Sequence, residues 1–594
     1  MTDDWGLEGA YGATLGRIKG QGREESRLGM AALMWISHSE RPLQVDELRD
    51  ALGVEIGSAD LYDDNVPSIT TLLACCKGLV AVDKEASTVR LIHFTLQEYL
   101  QAHPEHFDRP HAAMAETCLS YLNSHRVKAF PDSYSAYFRD KLGRWGYVVD
   151  WRAAASYWEV YLSAPFLGYA SLYWGIHAKR ELSDCAKQLA LKLFDDYSNH
   201  PSAEILLSKK APDCLGIYLD KPPLFSGLHC ASLFGIVEIV TLLVKVGGCD
   251  INQTDWFGNT PLMWASVNGQ EGVVKMLLGQ DDVSPEIPNE YGMTPLLLAA
   301  EMGQEGVVKI LLERGDVNPE KPDISGNTPL GCAADNGHEG VVSILLGRDD
   351  VDPNKPNEGG KTPLYCAASN GHEGVVKVLL GRDDLNPDEP NEDDETPLWC
   401  AALNEHEGVV SILLGRDDVD PNQLSENGQT VLSWAAFEGY EGMVSILLER
   451  DDVDPDKSSK FGETPLWWAA LNGHEGVVRI LLERDDVNPD KPDKYGQTPL
   501  LCAAENGRGG VVEMILRRGD VNPNKPDIYG KTPLFCAAAS GQEGVVKTLL
   551  GRGDVNPDKP DMYGQTPLFC AISRGHAGVV ALLQPRASAA PGTA

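Results

Sequence analysis

Nowhere in this chain do about eighteen apolar residues run together, and Met1-Thr2-Asp3-Asp4 sets no basic stretch before an apolar one. A membrane-spanning helix and a signal peptide are therefore not expected, and a cytosolic or nuclear protein is implied. Equally missing is a G-x-x-x-x-G-K-[ST] phosphate loop. The segment Gly12 to Gly22 offers glycines without the Lys-Ser/Thr pair that would cradle a nucleotide and its magnesium. Basic charge is scarce too, with 51 Lys and Arg against 87 Asp and Glu, a net charge of −36. Residues 1–125 carry −9, residues 126–225 carry +2 and residues 226–594 carry −29. Such a surface repels phosphate backbones and argues against nucleic acid as a ligand. No Ser-His-Asp, Cys-His or paired-carboxylate constellation stands out, so no catalysis, metal or cofactor is expected.

What is present is repetition. Eleven stretches share a spacing of 34 residues, running from a first departure at Ser226-Gly227-Leu228-His229 through Thr260-Pro261-Leu262 and Thr294-Pro295-Leu296 to Thr566-Pro567-Leu568. A fixed period in this range means stacked units, so residues 226 to about 584 form a solenoid. Thr498 caps a first helix and Pro499 occupies its first turn, where a missing N–H costs nothing. Ala503 and Ala504 allow close helix approach, and Gly507 supplies a left-handed residue to close the helix. Val511, Val512, Ile515 and Leu516 form the apolar stripe of a second helix. The run Gly519 to Gly530 has the Asn, Asp, Pro and Gly of a projecting turn. These residues resemble ankyrin repeats, with turns lengthened and stiffened by proline. The first repeat reads as a cap, and the last runs into an Ala/Ser/Pro/Gly tail at 585–594 with no polar cap.

Seven of the thirteen cysteines (Cys230, Cys332, Cys366, Cys400, Cys502, Cys536 and Cys570) take one position of the first helix. Stacked helices lie roughly 8 to 10 Å apart, beyond the reach of about 7 Å between Cα atoms for a disulfide. They read as reduced core residues. Cys75-Cys76 has no CxxC or histidine partner pattern, which is poor for zinc. Acidic pairs such as Asp349-Asp350 and Asp485-Asp486 recur after the second helix. They read as a solvated edge that keeps a long array soluble, with a docking strip for a basic partner as the alternative.

Residues 24–125 do not repeat. Glu25–Ser37, Val45–Leu52 and Val66–Cys76 read as helices, followed by two strand-like runs, Leu79–Val82 and Val89–Ile92. That order is a winged helix, but the acidic charge and the absence of a Lys/Arg cluster in Val66–Cys76 argue against DNA. Ala32-Leu33-Met34-Trp35-Ile36, Glu40-Arg41-Pro42-Leu43, Gly78-Leu79-Val80 and Leu91-Ile92-His93-Phe94-Thr95-Leu96-Gln97-Glu98 resemble the winged-helix segment after the NACHT module of fungal NACHT-ankyrin proteins. The resemblance continues through Ala115–Leu122, Pro165–Ala170 and Tyr173-Trp174-Gly175. It implies that residues 126–225 form a helical linker region and that Leu7–Lys19 follows where the NTPase module of such proteins ends. It also implies that His93 touches the β-phosphate of bound ADP when a NACHT module is present. With the rest of a nucleotide site absent from this sequence, the residue itself reads first as an ordinary strand-end histidine satisfied by backbone.

The fold class is therefore mostly α, an ankyrin-repeat solenoid preceded by a winged-helix-like domain and a helical linker. In arrays of this kind a protein partner is expected on the concave face, at the residue before the turn glycine and at the two residues after Ala-Ala. Candidates before the turn glycine are Phe257, Tyr291, Phe461, Tyr495, Tyr529 and Tyr563; those after Ala-Ala are Glu301, Met302, Asp335, Leu403, Phe437 and Leu471. Asp394 replaces the turn glycine of the sixth repeat. Tyr365, Trp399, Trp467, Phe535 and Phe569, after Thr-Pro-Leu, are expected to pack rather than bind. Two functions fit: the sensing and relay half of a NACHT-type signalling receptor, or a free-standing adaptor with no nucleotide switch.

Overall fold

The computed structural model describes residues 4–128, 164–210, 224–245 and 249–584, so the expected tail at 585–594 and parts of the linker lie outside the described residues. Two compact units are distinguished, residues 1–318 and 319–594. Among the described residues no helix is long and apolar enough to cross a membrane.

The first unit opens with helices α1 (Asp4–Lys19) and α2 (Arg23–His38), strand β1 (Leu43–Gln44), and helices α3 (Val45–Gly53) and α4 (Ile69–Cys75). Strands β2 (Val80–Asp83) and β3 (Thr88–Leu91) and helices α5 (Phe94–Ala102) and α6 (Pro110–Leu122) follow. The antiparallel sheet has the order β1-β3-β2, with Leu43 opposite Val89 and Val80 opposite Leu91. Apolar residues at helical spacing on α2, α3, α4 and α5 bury Leu33, Leu48, Leu72 and Leu96 in one core. This is the expected winged helix with two differences. Helix α4 begins at Ile69 rather than Val66, because Pro67 holds Val66 extended and Ser68 accepts from the Thr71 N–H as the cap. The two-residue strand β1 is too short to show an alternating pattern, and only its pairing with β3 reveals it.

Helix Leu167–Arg180 lies on α6, and with helix Asp184–Phe194 it covers the first repeat. The first repeat, which reads as a cap, is itself covered: all eight residues of its first helix, Gly227–Phe234, are buried. Trp174 meets Phe234 with ring centroids 5.3 Å apart and Phe194 at 5.8 Å. A Cβ on Gly227 would stand 2.3 Å from the Phe194 ring, so only glycine admits this approach. The sequence could not show this layer because the covering residues lie outside the period.

In the second unit each repeat is a pair of short helices, as in Pro499–Glu505 and Gly509–Arg517. Thr498 accepts from the Leu501 N–H at 3.2 Å, and Gly507 takes φ 72° to close the first helix. The seventh repeat carries Val431 in place of proline and keeps its threonine cap, Thr430 accepting from Ser433 at 3.1 Å. Between repeats, Asp493 folds the turn by accepting from the Tyr495 and Gln497 N–H groups at 2.9 and 2.7 Å. The seven period cysteines are buried, and burial pushes the Cys366 and Cys536 thiols up to about 12.

The acidic pairs have a structural part. Arg484 forks Asp486 through two bonds of 2.9 and 2.7 Å while its other nitrogen reaches the Leu448 carbonyl of the preceding repeat at 3.1 Å. In the second unit the second aspartates Asp350, Asp384, Asp418, Asp452 and Asp486 are paired in this way, each carboxyl held below the usual carboxylate range by its arginine. The first, exemplified by Asp485, stays exposed.

One packing expectation fails. Tyr365, Trp399, Trp467 and Phe535 are buried, but Phe569 is 54% exposed. No described helix pair stacks on the last repeat, so the side chain that neighbours cover elsewhere faces water.

Candidate interaction surface

The turns zip to one another through the backbone of the candidate residues. The Lys494 N–H donates to the Phe461 carbonyl at 2.8 Å, Ile528 to Tyr495 at 3.0 Å and Met562 to Tyr529 at 2.8 Å. In the first unit Glu290 donates to Phe257 at 2.8 Å. With their backbones held, the side chains of Phe461, Tyr495, Tyr529 and Tyr563 stand exposed in a row along successive turns. The Lys494 ammonium sits 3.6 Å from the Phe461 ring centroid and 5.0 Å from that of Tyr495. Phe257 and Tyr291 are half-buried, as are Glu301 and Met302, whereas Asp335 is exposed.

The residue directly after Ala-Ala reads Asp335, Ser369, Leu403, Phe437, Leu471, Glu505, Ala539 and Ser573 through the second unit. Only the sixth, seventh and eighth repeats place a large apolar side chain there. Leu403 is 43% and Phe437 37% exposed, with Leu471 half-buried. The same repeats hold a feature that sequence reasoning passed over. Six repeats of the unit put cysteine at the middle of the first helix, but the seventh and eighth put Trp434 and Trp468. Phe437 stacks edge-on against Trp468 at 5.2 Å, Trp434 meets Tyr440 at 5.4 Å, and Trp399 lies 6.5 Å from Trp434. The two half-exposed indoles thus back a continuous apolar strip. The break in the cysteine register was the available signal.

Two acids of the sixth repeat are held at a conformational cost. Asp394 and Glu405 both stand where other repeats use glycine, with φ of 58° and 62°. A left-handed backbone costs an L-residue roughly 1–2 kcal/mol. Tyr440 donates its hydroxyl to the Glu405 carboxylate at 2.7 Å. Glu438 is exposed beside Phe437. At the far end, Arg508 donates to the Leu471 carbonyl at 3.2 Å.

His93 lies elsewhere, in the first unit. It is the N-cap of α5, where its Nδ1 accepts from the Thr95 N–H at 3.3 Å and its ring remains exposed. Thr95 shares a 2.8 Å hydrogen bond with the Tyr11 hydroxyl of α1. Among the described residues no group of three or more His, Cys, Asp or Glu is placed to hold a metal.

The fold and this surface define a repeat scaffold that presents side chains from rigid, stacked helices. A sequence model of ankyrin repeats (three copies) matches in overlapping windows from residue 197 to residue 590, more than half of the chain. The chain belongs to the ankyrin-repeat family. A second model, the winged helix domain of GPI inositol-deacylase, matches residues 18–109. No curated protein matches this chain.

Proposed function

We propose that the protein is a non-catalytic interaction protein whose ankyrin array, residues 226–584, senses a protein ligand for a NACHT-type signalling receptor. Residues 24–125 and 126–225 serve as the relay between the array and a nucleotide switch. The observation that carries the binding role is the contrast within the sixth repeat. Scaffold positions such as Leu398, Ala401 and Ala402 are buried, while Leu403 one residue on is open to solvent. Ligand recognition through exposed residues on a rigid frame needs that division of labour.

The relay reading draws support from the first unit. Arg180 pairs with Glu40 at the end of α2, and the Tyr169 hydroxyl accepts from the Glu40 N–H at 3.1 Å. The helix carrying both residues also buries Trp174 against the first repeat. One helix therefore touches the winged helix and the array alike.

Affinity capture with the full chain, followed by cross-linking and mass spectrometry of whatever protein is retained, tests the proposal. Cross-links to the first helices and turns of the repeats are expected. Retention of no protein, or cross-links confined to α1–α6, would overturn it.

A further inference from the structure

We infer that the strip formed by Leu403, Phe437 and Leu471 over Trp434 and Trp468 docks a basic, apolar segment of the partner protein. This deepens the proposal above and rests on its binding role. Three observations converge on these repeats. The large apolar side chains after Ala-Ala occur in three consecutive repeats and in no other repeat of the second unit. The two tryptophans replace cysteine in the same place, and they supply flat, rigid area of the kind that anchors a bound side chain. Finally, the sixth repeat keeps acids at both of its glycine positions despite left-handed backbones. Strain held at a surface position points to a use for the side chain that the scaffold does not need.

The chemistry of the occupant follows from the border. Glu405 and Glu438 are exposed beside Leu403 and Phe437, and Glu392, Asp393 and Asp394 are exposed in the turn of the same sixth repeat. Lysine or arginine flanking an apolar anchor satisfies that end without burying an unpaired charge. At the other end Arg508, tied to the Leu471 carbonyl, stands with the exposed Glu505, so the excess of acid places the partner's basic residues over the sixth and seventh repeats.

The test uses the full chain and a short fluorescent amphipathic peptide of leucine, tryptophan and lysine. Two counterpart peptides carry glutamate for lysine, or serine for leucine and tryptophan. Anisotropy should show the first peptide binding and both counterparts at least about tenfold weaker. On the protein, Phe437→Ser and Leu403→Ser should each lower affinity about tenfold. Glu405→Gln should lower it about threefold and reduce its salt dependence. Asp451→Asn, a charge removed in the loop after the second helix, should leave it within about twofold as a surface control. Phe437 and Leu403 are both solvent-exposed, so melting midpoints of their serine variants check that the array remains folded. Equal loss from Asp451→Asn and Glu405→Gln, undiminished binding by either folded serine variant, or no binding of the lysine peptide would overturn the inference. Such a failure, alongside a captured protein still cross-linked to the repeats, would leave the binding role standing.

Discussion

A Cβ on Gly496 would stand 2.9 Å from the backbone nitrogen of Ile528, the same nitrogen that donates to the Tyr495 carbonyl at 3.0 Å. The turn glycines therefore do two things: they adopt positive φ, and they let the next turn's backbone close in. Gly564, in the last turn, has φ 76° but meets nothing within 4 Å. Gly564→Ala should cost only the conformational strain, about 1 kcal/mol. Gly496→Ala should cost that plus the hydrogen bond between turns, about 2–3 kcal/mol together. Urea denaturation of the two variants checks the ordering, and equal costs would remove the inter-turn contact from the account.

Asp394 and Glu405 bear that strain, and Glu405 has the Tyr440 hydrogen bond set against it. Asp394→Gly and Glu405→Gly should each raise stability by about 1 kcal/mol. If the acids serve binding, Glu405→Gly should gain stability and lose affinity for the lysine peptide in the same sample. A variant that loses stability shows that the carboxylate, with its Tyr440 bond, contributes more than the backbone costs.

Asp456 and Asn422 hold equivalent places on successive turns. Asn422 donates its amide to the Asp452 carbonyl at 2.8 Å and accepts from the Asp454 N–H at 2.8 Å. Asp456 likewise accepts from the Asn488 N–H at 2.8 Å, but its other oxygen is buried without a partner. Burial holds this carboxyl above its usual range. For an acid raised on folding, the protonated form is the one the fold favours. Its contribution is complete below pH 3.8 and is lost as pH rises through the raised value. Asp456→Asn should therefore stabilise the array by about 1 kcal/mol at pH 7 and less at acid pH. Thermal melts at pH 4 and pH 7 would show the difference, and an advantage that does not shrink at pH 4 would contradict it.

His177 runs the other way. It is buried against His111, with Nδ1 atoms 3.0 Å apart, and shares a 2.9 Å hydrogen bond with the Tyr169 hydroxyl. Burial, aided by the charges of His111, Arg180 and His38, pushes it down to about 3. A base lowered on folding stabilises the fold above its unfolded value of 6.5 and withdraws that contribution as pH falls from there toward the lowered value. Unfolding of the first unit should ease by up to about 1.4 kcal/mol per pH unit below 6.5. His177→Gln should flatten that slope. Hydrogen exchange at α6 and at helix Leu167–Arg180, measured at pH 7 and pH 5, reports it locally.

Phe535 and Phe569 share a repeat position, but the first is 3% exposed and the second 54%. Phe535→Ala should cost about 3–5 kcal/mol and Phe569→Ala less than about 1. Denaturant midpoints decide this, and comparable losses would mean that something covers the last repeat in solution.

Much of the architecture was legible because it is local. Thr498 caps, Pro499 starts and Gly507 ends a helix through contacts within a few residues, and each recurs at the same interval. The winged-helix elements could be read from apolar periodicity, apart from β1, whose identity depends on a partner strand more than forty residues away. The candidate surface was half legible. Leu403, Phe437 and Leu471 could be picked out as departures from a repeated scaffold, but Trp434 and Tyr440 could not, since their meeting depends on packing between neighbouring first and second helices.

The sequence by itself determined the period, the helix boundaries and the acidic character of the array, since these follow from short-range backbone preferences and from composition. Only the tertiary structure decided which faces are covered. The first repeat is an interior layer because Trp174 and Phe194 come from helices outside the period, and Phe569 is exposed because no described helix pair stacks on it. Burial belongs to pairs of surfaces, and a repeat unit carries only one member of each pair.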